Sequence, residues 1–122
     1  FGAYIDIVLP PPGRLEGSNI PDDTVVELQE ASLQLFNLLK GTRCSWRDIV
    51  SKAHRIPDTR WLDELQRSIV LASNNEQFRP VQGIYHSRTG SYQPHLSRRE
   101  VRTDGSICFH VQFIETALRP LC

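Results

Sequence analysis

The chain has 122 residues, is 39% apolar and 23% charged, and carries a formal net charge of zero. These values describe one folded domain with enough apolar material for a hydrophobic core without staples. They are too weakly basic for a dedicated nucleic-acid binder, which usually carries a clearly basic domain, and no apolar run approaches the roughly 20 residues that a membrane helix needs.

The opening "FGAYIDIVLP" shows neither an initiator Met nor a signal peptide, so the chain reads as a fragment of a larger protein or a processed form. Within it, Ile5 and Ile7 alternate with Tyr4 and Asp6, which is the period of a strand with one buried face. Three prolines then end the strand near Leu9, because proline cannot donate to a ladder. Residues 10–20 are expected to form a surface loop.

"IPDDTVVELQEASLQLFNLLKG" predicts the longest N-terminal helix, over 21–40. Pro21 suits a first helical position, and Asp22 and Asp23 favour the positive end of the helix dipole. Val25, Leu28, Leu35, Leu38 and Leu39 follow helical spacing, and Lys40 and Gly41 provide a stop. "CSWRDIVSKA" predicts a second helix with Ser45 as its cap and Asp48 in the capping-box position. "PDTRWLDELQRSIVLAS" predicts a third, burying Trp61, Leu62, Leu65, Ile69 and Ala72, with Asp63 and Arg67 paired outside.

Three strands are expected near 80–87, 91–102 and 107–115, joined by "RTG" and "TDGS". Taking Asp104-Gly105 as a two-residue turn sets Val101 opposite Cys108, Arg99 opposite His110, Leu96 opposite Phe113 and His95 opposite Ile114. Leu96 and Val101 then have opposite parity, which calls for a bulge between them or for one of them to be exposed. Phe109, Val111 and Phe113 join Leu28, Leu35, Trp61, Leu65 and Ile69 in the expected core. The fold class is thus α+β: an N-terminal strand, two to three helices, then a C-terminal antiparallel three-stranded meander, all in a single domain over 1–122.

Charge is uneven along the chain. Residues 1–40 carry six acids against two bases, whereas six arginines lie between Arg79 and Arg119 against Glu100, Asp104 and Glu115. Arginine outnumbers lysine twelve to two, a bias that suits bidentate and stacked contacts. Tyr92, Arg98, Arg99 and Arg102 are the expected contact face for a protein partner or for self-association. A nucleic-acid role is disfavoured, because no RNP-like run accompanies the arginines.

The three cysteines, Cys44, Cys108 and Cys122, are odd in number and show no CxxC spacing, which argues against a disulfide framework or structural zinc and for a reducing, cytoplasmic setting. His86, His95 and His110 fall on three separate strands, with no acid or thiol at matched spacing, so no metal site is expected. No phosphate loop, GxSxG or HExxH is present. No catalytic residue and no cofactor is therefore assigned.

The segments "SWRDIV", "RWLDELQRSIVLAS", "RTGSYQPHLSRREVRTDGS" and "FHVQFIE" resemble the PAS-like sensory and regulatory fold across residues 42–116. The shared pattern is a helix pair, a strand leading to a turn, a long central strand, a second turn and a last strand ending in an acid. The chain lacks the His-Pro-Asp-Asp box, and its expected helix over 21–40 falls where PAS domains usually have a second N-terminal strand. No heme, flavin or photosensor chemistry carries over. The resemblance implies a regulatory interaction module of an intracellular signalling or transcription-linked protein. The alternatives are a small-ligand sensor, which would need a polar void beside Trp46 or Trp61, and a small enzyme without a recognisable motif.

Overall fold

The computed structural model describes residues 2–11, 15, 19–39, 41, 43–53, 59–75 and 78–116. Cys122, Arg119 and Lys40 lie outside them. The first strand, β1 (Gly2–Leu9), buries Ala3, Ile5, Ile7 and Leu9 and turns Tyr4 and Asp6 the other way, as its alternation requires.

The expected helix over 21–40 is not formed as one element. Residues 21–24 make a turn closed by Thr24 N–H on the Pro21 carbonyl, and Val25–Leu28 forms strand β2, antiparallel to β1. Val25 and Leu28 share a helical spacing, but Val26 is the buried residue and Val25 is 46% exposed, so the period is two. Three consecutive β-branched residues, Thr24, Val25 and Val26, favour that outcome. Only a short helix, α1 (Glu30–Leu35), remains. It ends in a Schellman motif: Asn37 adopts a left-handed φ of 53°, with Asn37 N–H on the Gln34 carbonyl and Leu38 N–H on that of Leu33.

Strand β3 (Cys44–Ser45) and helix α2 (Trp46–Ala53) follow. Ser45 donates its N–H (2.8 Å) and its hydroxyl (3.1 Å) to Asp48, so the capping residues act as expected. Helix α3 (Arg60–Asn75) buries Trp61, Leu62, Leu65, Ile69 and Ala72; Arg67 pairs with Glu64 rather than with the expected Asp63. Gly83, at φ 102°, lies so close to the start of α3 that a Cβ would stand 2.7 Å from the Trp61 backbone nitrogen.

The last three strands are β4 (Tyr85–Ser87), β5 (Gly90–Val101) and β6 (Ile107–Glu115). They do not stand as a separate three-stranded meander. Among the described residues they belong to one six-stranded antiparallel sheet, in the order β3-β2-β1-β6-β5-β4, with the N-terminal strand beside the C-terminal one. The first of them is shorter than expected, and Val81 is held by a bond from Gln93 Nε2 to its carbonyl instead of by a ladder.

The second hairpin turn has three residues rather than two. Arg102 N–H bonds to the Ser106 carbonyl and Gly105 N–H to the Arg102 carbonyl, with Gly105 at φ 87°. The extra residue moves the register by one, pairing Val101 with Ile107, Arg99 with Phe109 and Arg98 with His110. A bulge between Leu96 and Arg98 restores parity, so that Leu96 faces Val111 and His95 faces Gln112. The helices cover one sheet face. There Phe36, Trp61, Tyr85 and Phe113 pack with ring centroids 4.9–6.0 Å apart. Tyr85 also donates its hydroxyl to the Leu35 carbonyl at 2.7 Å, and its burial pushes its pKa up to about 12. Of the expected core residues, Leu28 alone is only half-buried at the margin; the other seven are enclosed.

Candidate functional site

The face of the sheet away from this core carries two cross-strand rows. Glu27, Asp6, His110 and Arg98 lie side by side on β2, β1, β6 and β5; Val25, Val8, Cys108 and Glu100 form the next row. Neighbouring strands stand about 4.8 Å apart, so each row brings its side chains within contact reach.

His110 is the centre of the first row. Its Nδ1 lies 2.5 Å from Asp6 Oδ1, and its Nε2 lies 3.0 Å from Glu100 Oε2 and 3.1 Å from an Arg98 guanidinium nitrogen. Arg98 also reaches Glu100 at 3.3 Å. A hydrogen bond from His110 holds the Glu100 carboxyl below its usual range, with the Arg98 charge adding to the effect. The bulged Ser97 donates its hydroxyl to the His110 carbonyl at 3.0 Å, so the bulge also fixes this strand.

Arg102, at the end of β5, spans both rows. It donates to Glu27 at 2.9 Å and approaches Cys108 Sγ at 3.5 Å. That bond holds Glu27 below its ordinary value, against a smaller opposing effect of burial. Cys108 is fully enclosed beneath the charged groups, and burial together with the Asp6 charge pushes its thiol up to about 11. The turn beside it is braced by Asp104, which accepts from the Ser106 hydroxyl (2.6 Å) and N–H (2.9 Å) and is thereby held below its usual value.

The four residues expected to share a contact face are divided by the fold. Arg98 and Arg102 are on the open face. Tyr92 is 2% exposed on the covered face, bonded to the Thr89 hydroxyl at 2.8 Å, and cannot present itself to a partner. Arg99 pairs with Phe109, on the covered side, because the three-residue turn gives Arg98 rather than Arg99 the outward position. Asp6, Glu27, Glu100, Cys108 and His110 were not anticipated as a group.

The expectation of no metal site rested on the absence of acid and thiol partners at matched spacing. The sheet supplies both: Asp6, Cys108 and His110 offer ligand atoms that lie within 4.8 Å of one another. His86 bonds to the Ser91 hydroxyl at 2.8 Å, and His95 is exposed on β5. The one sequence signal for the site was a charged residue, Asp6, in the middle of an otherwise apolar strand.

A ligand pocket beside Trp61 is opposed by packing, because Tyr85 and Phe113 stand 4.9 Å and 5.7 Å from its ring. Trp46 is 2% exposed, a core anchor. Among the described residues no helix is long and apolar enough to cross a membrane. No protein-family model, curated protein or solved structure matches the chain.

Proposed function

We propose that the chain is a regulatory interaction module, PAS-like in architecture, whose open sheet face receives a second copy of itself. The observation that carries this is the composition of that face. An ionic centre of both signs (Glu27, Asp6 and Glu100 with Arg98 and Arg102) is flanked by exposed Tyr4 and Ile114 at one end and Val25 at the other. A two-fold interface sets each patch against itself, so alternating signs can find complements while the apolar ends are covered.

The PAS-like reading gains support from β2. That strand stands where the family usually has a second N-terminal strand, and, the two-residue β3 between α1 and α2 apart, two strands, helices and three further strands follow in the family's order. On this reading the module belongs to a signalling or transcription-linked protein inside the cell, a setting consistent with the free thiols of Cys44 and Cys108.

Sedimentation velocity over a concentration series tests the proposal. A dimer is expected, weakened at least tenfold by Ile114→Lys or by Arg98→Glu, while circular dichroism stays unchanged. A chain that remains monomeric at high concentration, or a dimer indifferent to both substitutions, rejects self-association through this face.

A further inference from the structure

The imidazole of His110 has a carboxylate at each end. A neutral imidazole has one N–H and one lone pair, so it can donate to only one carboxylate. If Nδ1–H serves Asp6 at 2.5 Å, the Nε2 lone pair faces Glu100 at 3.0 Å. If Nε2–H serves Glu100, the Nδ1 lone pair faces Asp6, two acceptors in contact. Either tautomer leaves one carboxylate facing a ring lone pair, a contact that a second proton or a bound cation relieves. Arg98, 3.1 Å from Nε2, can relieve it at the Glu100 end. At the Asp6 end the next group on the face is Cys108, two residues before His110 on the same strand.

We infer that Asp6, Cys108 and His110 form a binding site for a divalent transition ion of the zinc class. Carboxylate oxygen, thiolate sulfur and imidazole nitrogen are the three donor types that zinc uses, and these three already lie within 4.8 Å of one another. Bonds of about 2.0–2.3 Å in tetrahedral geometry separate ligand atoms by roughly 3.3–3.7 Å. Asp6 and His110 therefore open by roughly 1 Å and Cys108 turns toward them, movements within side-chain rotation.

With Nε2–H on Glu100, the Nδ1 lone pair is directed at the ion, and Glu100 serves as the outer carboxylate that fixes the tautomer. Charge favours the ion as well. Around the three ligand atoms, three carboxylates (Asp6, Glu27, Glu100) stand against two guanidiniums (Arg98, Arg102). Binding releases the Cys108 proton to solvent, and the thiolate–metal bond takes its place. Arg102, 3.5 Å from the sulfur, is the competitor and is left to Glu27 alone. Asp6 and His110 line a surface depression together with Tyr4, Gln29, Ser97 and Arg98, through which an ion can reach them. The inference rests on these three side chains and not on self-association, although both use the same sheet face.

Cobalt(II) reports on the site, because a thiolate ligand gives a near-ultraviolet charge-transfer band and tetrahedral coordination gives visible bands. Titrating the untagged, reduced full chain with Co²⁺ is expected to give one saturable equivalent with both, and Zn²⁺ should displace it. Cys108→Ser should abolish the charge-transfer band, whereas Cys44→Ser and Cys122→Ser should keep it. His110→Gln should weaken binding at least tenfold. Arg102→Gln, at a side chain 34% exposed, should tighten it and so tests the site even where Cys108→Ser does not fold. No saturable binding by the native chain, a thiolate band that survives Cys108→Ser, or weaker binding in Arg102→Gln overturns the assignment.

Discussion

Asp6 and His110 are 104 residues apart in the chain, yet their side chains meet at 2.5 Å on neighbouring central strands. The contact depends on the pairing of the first strand with the last, and on both residues having outward parity in strands whose other faces are buried. The pair is part-buried, so water screens it only partly. Measured with a chelator present, Asp6→Asn and His110→Gln should each cost about 1–2 kcal/mol in urea melts. The double mutant should fall short of additivity by about 1 kcal/mol. Additive losses would mean that the two side chains do not act on each other.

Acid should weaken the fold partly through Glu27. Its folded pKa lies below its ordinary value of 4.5, first because of the hydrogen bond from Arg102 and despite burial. A depressed carboxylate contributes stability that is complete above its unfolded pKa and is lost as pH falls through the folded value. The side chains of Arg102 and Glu27 are 34% and 49% exposed, so solvent screening keeps this contribution below about 1 kcal/mol. Urea midpoints at pH 7 and pH 3 should therefore differ less in Arg102→Gln than in the native chain. An equal difference would remove this pair from the acid response.

The covered face should be far less tolerant. Trp61 and Phe109 are both 0% exposed, and Trp61 is enclosed by Tyr85 and Phe113. Trp61→Ala or Phe109→Ala should each cost roughly 3–5 kcal/mol, the sum of lost transfer and a residual cavity. A loss below about 1 kcal/mol in denaturant melts would show that the packing is not as described.

What could be read from the sequence divides along physical lines. Helices α2 and α3 were legible because a capping pair and an unbroken apolar stripe are local signals. The helix over 21–40 was misread because Val25 and Leu28 fit a period of 3.6 as well as Val26 and Leu28 fit a period of two. Only pairing with β1 decides between them. The site was hidden for a related reason. Its members come from β1, β2, β5 and β6, and nothing local states that residue 6 will lie beside residue 110. The parity of Leu96 and Val101 pointed to a bulge or an exposed residue, and both occur, with Val101 60% exposed, but the turn length was not foreseen. A three-residue turn at Thr103–Gly105 and a two-residue turn at Asp104-Gly105 carry the same residues.

That one-residue difference can be measured. With the two-residue turn, Arg99 would share the His110 row and Arg98 would lie on the other face. With the observed turn and the bulge at Ser97, Arg98 reaches His110 and Glu100, while Arg99 lies across from Phe109. The Arg98 side chain is 67% exposed, so Arg98→Gln should change stability by no more than about 0.5 kcal/mol. Arg99 is half-buried and its Nε is shielded from solvent. Arg99→Gln shortens the apolar stem that lies across from Phe109 on the covered side, so it should cost about 1–3 kcal/mol. The two variants also separate in a second observable: the ring resonances of His110 should move in Arg98→Gln and stay in place in Arg99→Gln. The reverse order of stabilities, with His110 responding to Arg99, would restore the two-residue turn and dismantle the row on which the site is built.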